Sequence, residues 1–440
     1  MKKNVKRLLI TLSVAAIGTM SIAALAACGN AHKHTYTDWT VDGSNHWRTT
    51  VCNDHDVEEE KAAHKYKGDT CTVCGYDKAA LAYNVVPDGY SVKATNSGKT
   101  KDTLVIPVSM NDLPIIGIDA FGFEGAKASK VILPDTVTSM GREAFSGCNS
   151  LKAIDLSGTS LTTVENAAFL NCTSITEVKL PEGLTAIKPG AFEGCAKLEA
   201  IELPEGLTEL GEQAFGRCSS LKEIELPEGV GVVAHNTFQG CTALSSVTLG
   251  SDVDYIGDNA FAHCTSLKTI DLGEKIWYIG QKAFYESGLT QITIPASVSY
   301  FSTEAFMNCK SLKTVTFAAE SSLVRAYGKQ FAGCSALESL TLAFVGSHKN
   351  VTTPSEGAFT TAFGFVFGTE APADAAKYTA VEQNGATYYV PNSLKTVTVL
   401  GGTISVGAFD GCSMLDTIRA ESGVTVLATS FDGCGAYFAH

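Results

Sequence analysis

Apolar and polar residues alternate in short stretches along most of the chain, and the same stretch returns at a near-constant interval. One copy, at 198–206, reads Leu-Glu-Ala-Ile-Glu-Leu-Pro-Glu-Gly, so that one polar residue separates Ile201 from Leu203. This period of two is typical of a β-strand with one buried face. The proline and glycine that follow favour a turn. We therefore predict a short half-buried strand and a tight turn in each copy.

An Ala-Phe pair closes most copies of the pattern. After the turn, Leu207 and Leu210 predict a second short extended segment, and a helical or tight turn then places Ala214 and Phe215 in the interior. From position 121 to position 331 the phenylalanine recurs every 22 to 25 residues. The set is Phe121, Phe145, Phe169, Phe192, Phe215, Phe238, Phe261, Phe284, Phe306 and Phe331, followed by Phe409 and Phe431. Such regularity indicates a stack of near-identical coils.

The predicted fold is a repeat solenoid over residues 79–440. No coil can bury its apolar side alone, but stacked coils lie about 4.7–4.9 Å apart and pair their strands into a continuous parallel β-sheet. Short turns or helical segments form the opposite face. The period breaks at 347–391, a segment rich in Ala, Gly, Thr and Phe, and the strand pattern resumes at Leu394. We interpret 347–391 as a distorted coil with a long loop, and a ligand-facing excursion is the alternative.

Ten of the 14 cysteines occupy one position of the repeat, three residues after the phenylalanine. They are Cys148, Cys172, Cys195, Cys218, Cys241, Cys264, Cys309, Cys334, Cys412 and Cys434, and Ser287 takes the position in one coil. We predict a column of small buried thiols that pack as compact hydrophobes. Cysteines of neighbouring coils also lie within the distance that a disulfide can span, so pairing between adjacent coils is the alternative.

The first residues have the features of a secretion signal. Four basic residues precede an uncharged apolar stretch at 8–27, which ends in Leu-Ala-Ala before Cys28. Small residues before a cysteine resemble the bacterial lipobox, whose cysteine is diacylated and becomes the new N-terminus. We predict a signal peptide at 1–27, lipidation at Cys28 and a tether at 28–31, so that two acyl chains hold the protein on the outer side of a bacterial membrane. An ordinary signal peptide or a single membrane helix is the alternative.

Residues 32–78 form a module rich in histidine and cysteine. Cys52 and His55 are separated by two residues, and so are Cys71 and Cys74, which is the spacing of a zinc ribbon with one histidine substituted. A module of this length has a small core, and a bound metal ion would add the stability that the core lacks. We predict structural zinc on these four residues, because four protein ligands leave no open position for catalysis.

Other interpretations of the module remain open. His46 or His64 could replace His55 as the fourth ligand. A disulfide between Cys71 and Cys74 with exposed histidines is a second interpretation, and scavenging of transition metals by the histidines is a third.

Charge restricts the partners of the solenoid. Removal of 1–27 deletes four of the 33 basic residues and none of the 46 acidic ones, so the net charge falls from −13 to −17 and nucleic acid is a poor candidate. The outward strand positions are acidic in the middle coils and threonine-rich toward the C-terminus. We predict that Asp155, Glu202, Glu223, Glu225 and Asp271 form a ligand-binding strip for a basic partner or divalent ions. Solvated residues with no binding role are the alternative.

Catalytic motifs are missing from the sequence. The chain contains no Gly-x-Ser-x-Gly elbow and no His-Glu-x-x-His pair. Carboxylates on identical coils form exposed ladders and lack the pocket that would raise the pKa of one member of a pair. We therefore expect no enzyme activity.

The repeat resembles the BspA-type leucine-rich repeat of bacterial surface proteins, whose pattern is Leu-x-x-Ile-x-Leu-Pro-x-Gly-Leu-Thr-x-Ile-Gly-x-x-Ala-Phe-x-x-Cys. The likeness extends from Leu104 to Cys434. The histidine- and cysteine-rich module is similar to modules that precede such repeats in Gram-positive surface proteins. The resemblance implies adhesion to an extracellular protein or glycan. A lipoprotein that captures a nutrient or metal, through the module or through 347–391, is the alternative function.

Overall fold

Each repeat of the chain forms one coil with two short extended segments, and the coils stack along one axis. The computed structural model describes residues 35–36, 39–51, 57–58, 61–67, 69–349, 360–428 and 430–439. Strands of successive coils pair in parallel, and the repeat solenoid predicted from the sequence is thereby confirmed. Among the residues described, no helix has the length and apolar character that crossing a membrane requires.

The first extended segment of each coil builds the first ladder of the solenoid. Its strands are β11 (Thr103–Val105), β14 (Lys130–Ile132), β16 (Ala153–Asp155), β18 (Glu177–Lys179), β21 (Glu223–Glu225), β23 (Ser246–Thr248), β26 (Gln291–Ile294), β28 (Thr314–Phe317), β29 (Ser339–Leu342), β32 (Thr396–Val399), β34 (Thr417–Ala420) and β36 (Tyr437–Ala439). Central residues such as Ile224 are buried and their neighbours are exposed, as an alternating pattern requires. Segments 200–203 and 269–272 follow the same path without strand hydrogen bonding.

The second extended segment builds the second ladder. Its strands are β15 (Ser139–Met140), β17 (Thr163–Val164), β19 (Ala186–Ile187), β20 (Glu209–Leu210), β22 (Val232–Val233), β24 (Tyr255–Ile256), β25 (Tyr278–Ile279), β27 (Tyr300–Phe301), β33 (Thr403–Ile404) and β35 (Thr425–Val426). At its N-terminal end the hairpin of β9 (Leu81–Val86) and β10 (Gly89–Ala94) joins β13 (Leu113–Ile118), which also pairs with β12 (Ser109–Met110). Tight turns, and not helices, connect the regular coils.

A column of stacked phenylalanine rings forms the centre of the core. From Phe123 to Phe331 successive ring centroids lie 5.0 to 5.8 Å apart, and each ring is fully buried. The prediction was wrong at the first position, because Phe121 is 37% exposed and Phe123 occupies the column. The N–H of Phe123 donates to the carbonyl of Ala144, and that bond puts Phe123 in register with the next coil.

The repeat cysteines form a second buried column beside the rings. The Sγ of Cys218 donates to the backbone oxygen of Phe192 at 3.2 Å. Cys195 makes the same contact with Phe169, and Cys241 makes it with Phe215. All ten are free thiols, and only Cys434 is partly exposed. Burial raises the pKa of Cys218 well above its usual value, so this thiol stays protonated and packs as a small hydrophobe.

The segment 347–391 lies between two coils that are adjacent in the first ladder. Strand β29 pairs directly with β32, although more than fifty residues separate them in sequence. The described part of the segment contains a 3₁₀ helix (Phe363–Val366), a second (Ala375–Lys377), and an antiparallel hairpin of β30 (Tyr378–Gln383) and β31 (Ala386–Pro391). Phe363 stacks on Phe409 at 4.6 Å, and Phe409 stacks on Phe431 at 5.7 Å, so a second run of stacked rings begins within the segment.

The N-terminal module consists of short antiparallel strands. They are β1 (Thr35–Tyr36), β2 (Thr40–Val41), β3 (Asn45–Trp47), β4 (Thr49–Val51), β5 (Val57–Glu58), β6 (Ala62–Ala63), β7 (Tyr66–Lys67) and β8 (Thr70–Cys71). The module joins the solenoid through the N–H of Val108, which donates to the oxygen of Val41, and through an ion pair between Asp77 and Lys101. A 3₁₀ helix (Gly98–Thr100) precedes Lys101.

Candidate functional site

Two histidines and two cysteines meet inside the N-terminal module. His46 lies in β3, His64 follows β6, Cys71 ends β8, and Cys74 lies in the turn after it. One nitrogen or sulfur atom from each residue lies within 4.8 Å of the corresponding atoms of the other three. The cluster therefore joins the three-stranded sheet of β2, β3 and β6 to the hairpin of β7 and β8.

The cluster is shielded from solvent. His46 is 4% exposed, Cys71 1% and Cys74 8%, while His64 is partly buried. The Sγ of Cys74 lies 3.4 Å from Nδ1 of His64, and the Sγ of Cys71 lies 4.0 Å from Nδ1 of His46. Trp39 packs edge-on against the His46 ring, with 5.0 Å between the ring centroids.

The turn around Cys71 surrounds its sulfur with donors. The N–H of Gly75 donates to the oxygen of Cys71 at 3.0 Å, and Gly75 has a φ of +78°, which favours glycine. Burial acts to raise the pKa of Cys71, but the N–H groups of Cys74 and Val73 and the ring of His64 outweigh it and lower the pKa to about 6. Burial raises the pKa of Cys74 to about 12, and the neighbouring Cys71 adds to that shift.

The predicted ligands are only partly described. The structure brings Cys71 and Cys74 together with His46 and His64, the two histidines that the sequence left as alternatives. Cys52 and His55 lie outside the described residues, and so does Cys28. The ligand set predicted with Cys52 and His55 therefore stays a prediction, as does the lipid anchor.

The predicted acidic strip gathers partly into one groove on the first ladder. Glu202, Glu223 and Glu225 line this groove together with Glu205 and Glu228, and all five are exposed. Elsewhere on these coils glutamates are paired with lysines, as in Glu199 with Lys222 and Glu209 with Lys188. Within the part of the chain that the structure describes, Glu202, Glu223 and Glu225 form no such pair, so the groove carries uncompensated negative charge.

The other two residues of the strip lie apart from the groove. Asp155 accepts hydrogen bonds from Ser157 and forms an ion pair with Lys179 at 3.4 Å. Asp271 accepts a hydrogen bond from the N–H of Gly273 at 2.9 Å and so stabilises its own turn. Local contacts therefore occupy both carboxylates.

A row of stacked aromatic side chains, which we call the aromatic ladder, lies on the second ladder of the solenoid and was not predicted from the sequence. Tyr255, Tyr278, Tyr300 and Tyr327 stack with ring centroids 4.4, 4.8 and 4.9 Å apart. Trp277 packs against Tyr255 and is 44% exposed. All four tyrosines are partly exposed, and their rings face one another along the ladder. The first three tyrosines occupy one repeat position, 23 and 22 residues apart, and this spacing was visible in the sequence.

Comparison with known proteins finds one family and a group of solved structures. The profile of the BspA type leucine rich repeat region matches residues 115–244 and 232–362. A leucine-rich repeat protein from Bacteroides ovatus is 19% identical, covering 81% of this chain and 91% of its own, with a TM-score of 0.46. A leucine rich cell surface protein from Faecalibacterium prausnitzii is 21% identical, covering 83% and 94%, with a TM-score of 0.38.

The pneumococcal vaccine antigen PcpA is a third similar structure. It is 15% identical, covering 88% of this chain and 98% of its own, with a TM-score of 0.41. Among curated proteins, no sequence matches the chain. At these identities the likeness concerns the fold.

Proposed function

The chain belongs to the BspA type leucine-rich-repeat family, and from this premise we propose that it is a non-catalytic surface protein that binds an extracellular protein or glycan. The solenoid serves as a long display surface, since repeat proteins use extended faces to hold extended partners. We place the protein on the outer side of a bacterial membrane, held by acyl chains on Cys28. Two chains suffice for stable anchoring.

The groove of the first ladder is the proposed contact surface, and its uncompensated glutamates are the observation that carries the proposal. Glu202, Glu223 and Glu225 are exposed, close together and without basic partners among the described residues. A surface of one sign attracts a partner of the opposite sign and accelerates its association. We therefore favour a protein with a basic segment over a neutral glycan. Asp155 and Asp271, which local contacts occupy, lie apart from this groove.

The aromatic ladder is a second contact surface on the same stack. Tyrosine and tryptophan supply much of the binding energy at protein interfaces, because they bury a large area at a small cost in conformational entropy. Tyr255 and Tyr278 offer hydroxyl groups, and Trp277 offers an exposed ring. Burial raises the pKa of Tyr278, so its hydroxyl remains a neutral donor and acceptor.

The test is a binding experiment with the full chain on a panel of extracellular matrix proteins, glycans and bacterial surfaces. The triple variant Glu202→Gln, Glu223→Gln and Glu225→Gln should bind a basic partner about tenfold more weakly, at roughly 0.5 kcal/mol per charge. The matched control changes three exposed glutamates outside the groove to glutamine: Glu124, Glu320 and Glu421. Equal loss in both triple variants, or loss in neither, would contradict the proposed surface.

Capture of a nutrient or metal is the competing proposal. A pocket beside the hairpin of β30 and β31 has a volume of about 240 Å³ and is lined by Lys329, Tyr378 and Tyr389. This volume lies below the roughly 300–1,000 Å³ of ordinary small-ligand sites. Titration with metals and free sugars separates capture from adhesion. Stoichiometric binding of a small ligand supports capture, and binding to macromolecular surfaces alone supports adhesion.

A further inference from the structure

The four side chains that meet inside the N-terminal module have the chemistry of a metal site. We propose that His46, His64, Cys71 and Cys74 bind one zinc ion in a closed tetrahedral site. Two thiolates and two imidazoles are a donor set that zinc takes up in structural sites. The proposal concerns the module alone and does not depend on what the solenoid binds.

The distances are close to those of a zinc tetrahedron. With Zn–S bonds of about 2.3 Å and Zn–N bonds of about 2.0–2.1 Å, neighbouring ligand atoms lie roughly 3.4–3.8 Å apart. The Sγ of Cys74 is 3.4 Å from Nδ1 of His64, and the Sγ of Cys71 is 4.0 Å from Nδ1 of His46. All four atoms lie within 4.8 Å of one another. Small side-chain rotations therefore suffice to close the site around an ion.

The surroundings of His64 hold its ring in a ligating orientation. Nε2 of His64 lies 2.9 Å from the backbone oxygen of Asp42. A carbonyl oxygen only accepts, so Nε2 carries the proton and Nδ1 keeps its lone pair toward Cys74. Metal-binding histidines commonly donate their second ring nitrogen to a carbonyl or carboxylate in this way.

The fold of the module explains what the ion would do there. Its strands are two or three residues long, and few side chains among its described residues are buried, Val41 and Tyr76 being examples. A core of this size gives little stability by itself, and metal binding then supplies folding free energy. The ion would join β3, the end of β6 and the β7–β8 hairpin. Four protein ligands leave no position for water, so the role is structural.

The proposed ligands differ from the first set that the sequence predicted, in which Cys52 and His55 joined Cys71 and Cys74. His46 and His64 complete a set of four with Cys71 and Cys74, so neither Cys52 nor His55 is required. This distinction makes Cys52 and His55 the natural controls, since they are of the same residue types and belong to the same module.

The experiment measures zinc in the purified full chain. We expect one zinc ion per chain that survives gel filtration and is removed by a strong chelator. The variants His46→Gln, His64→Gln and Cys74→Ser should each bind zinc at least about tenfold more weakly, since even loss of a partner outside the ligand set costs 10- to 100-fold. The controls Cys52→Ser and His55→Gln should keep wild-type affinity. Retention in His64→Gln with loss in Cys52→Ser would overturn the proposal.

Cobalt substitution gives a second readout on the unmutated chain. Co²⁺ in place of zinc should show the visible absorption of a tetrahedral site and a sulfur-to-metal band whose intensity corresponds to two thiolates. Cys52→Ser should leave that band unchanged. A band that falls by one third in Cys52→Ser, a chain that binds no zinc, or a Cys71–Cys74 disulfide found by thiol counting would each contradict the proposed site.

Discussion

The solenoid and the N-terminal module bury cysteines for opposite purposes. In the solenoid, Cys218 donates to a backbone oxygen, and burial raises the pKa of its thiol so that it stays neutral. In the module, N–H donors and His64 lower the pKa of Cys71 to about 6 against the effect of burial. The comparison shows that repetition allows the solenoid to use cysteine as a packing residue. The module has no such repetition, and two histidines and two cysteines meet in its core.

Removal of one ring from the phenylalanine column should have the largest effect on the solenoid. Phe215 is fully buried, with the rings of Phe192 and Phe238 at 5.5 and 5.8 Å. Phe215→Ala should reduce the free energy of unfolding by about 3–5 kcal/mol, because the coils on either side cannot close the void. Chemical denaturation of the full chain measures this loss.

Phe121→Ala is the matched control for the column. Phe121 belongs to the same Ala-Phe motif but is 37% exposed, so its removal should change the free energy of unfolding by no more than about 0.5 kcal/mol. Equal losses in the two variants would show that the column is not the source of stability.

The ion pair between the two regions should have an intermediate effect. Asp77 is buried, and Lys101, the N–H of Ala79 and the hydroxyl of Thr70 hold its pKa below the usual value, although burial acts to raise it. The pair therefore stabilises the junction above the unfolded pKa of about 3.9, and this contribution is lost as the pH falls through the lower folded pKa. Asp77→Asn should cost about 1–2 kcal/mol at neutral pH, because Lys101 is partly exposed.

Asp69→Asn is the control for this pair. Asp69 contacts Lys78 at 3.4 Å with both side chains exposed, so its loss should change the stability little at any pH. Stability curves between pH 2 and pH 7 should converge at low pH for wild type and Asp77→Asn. If the two curves stay parallel, the carboxylate does not stabilise the junction.

A substitution in the cysteine column should have the smallest effect on stability. Comparing it with the same substitution in the module separates the two regions most clearly. Ser287 already occupies a cysteine position and is buried, with its Oγ 3.2 Å from the Sγ of Cys309. Cys218→Ser should therefore cost about 1 kcal/mol, since the hydroxyl can still donate to the oxygen of Phe192. The same change at Cys74 should weaken the proposed binding of zinc by the module. A loss above about 3 kcal/mol for Cys218→Ser would mean that the thiols have more than a packing role.

The solenoid could be predicted from the sequence because each coil repeats the same local pattern. The period located Phe215, Cys218 and Ile224 in the core, since each side chain is fixed by its position in the coil. The prediction failed at Phe121, where two phenylalanines lie two residues apart. The N–H of each donates to the next coil, to Arg142 for Phe121 and to Ala144 for Phe123, and the sequence pattern does not say which ring is buried. It also missed that Phe363 stacks on Phe409, because the irregular segment carries no period.

The candidate sites were less accessible to sequence reasoning. Cys71 and Cys74 form a local motif, but the approach of His46 and His64 depends on how the sheet of β2, β3 and β6 packs against the hairpin of β7 and β8, which spacing does not specify. The acidic strip was predicted as one surface, whereas local partners separate Asp155 and Asp271 from the glutamates of the groove. The aromatic ladder was not predicted, because the leucines of the second extended segment, such as Leu207 and Leu210, indicate only core positions.

Hydrogen exchange of the full chain, measured with and without a strong zinc chelator, tests the contrast between the two regions most directly. In the zinc-loaded protein, the amides of Cys71 and Gly75, which donate to the oxygens of Tyr76 and Cys71, should be protected. After chelation we expect this protection to be lost, while the amide of Phe215, which donates to the oxygen of Thr237 in the next coil, keeps its full protection. Unchanged exchange in the module, or loss of protection in both regions together, would contradict the account.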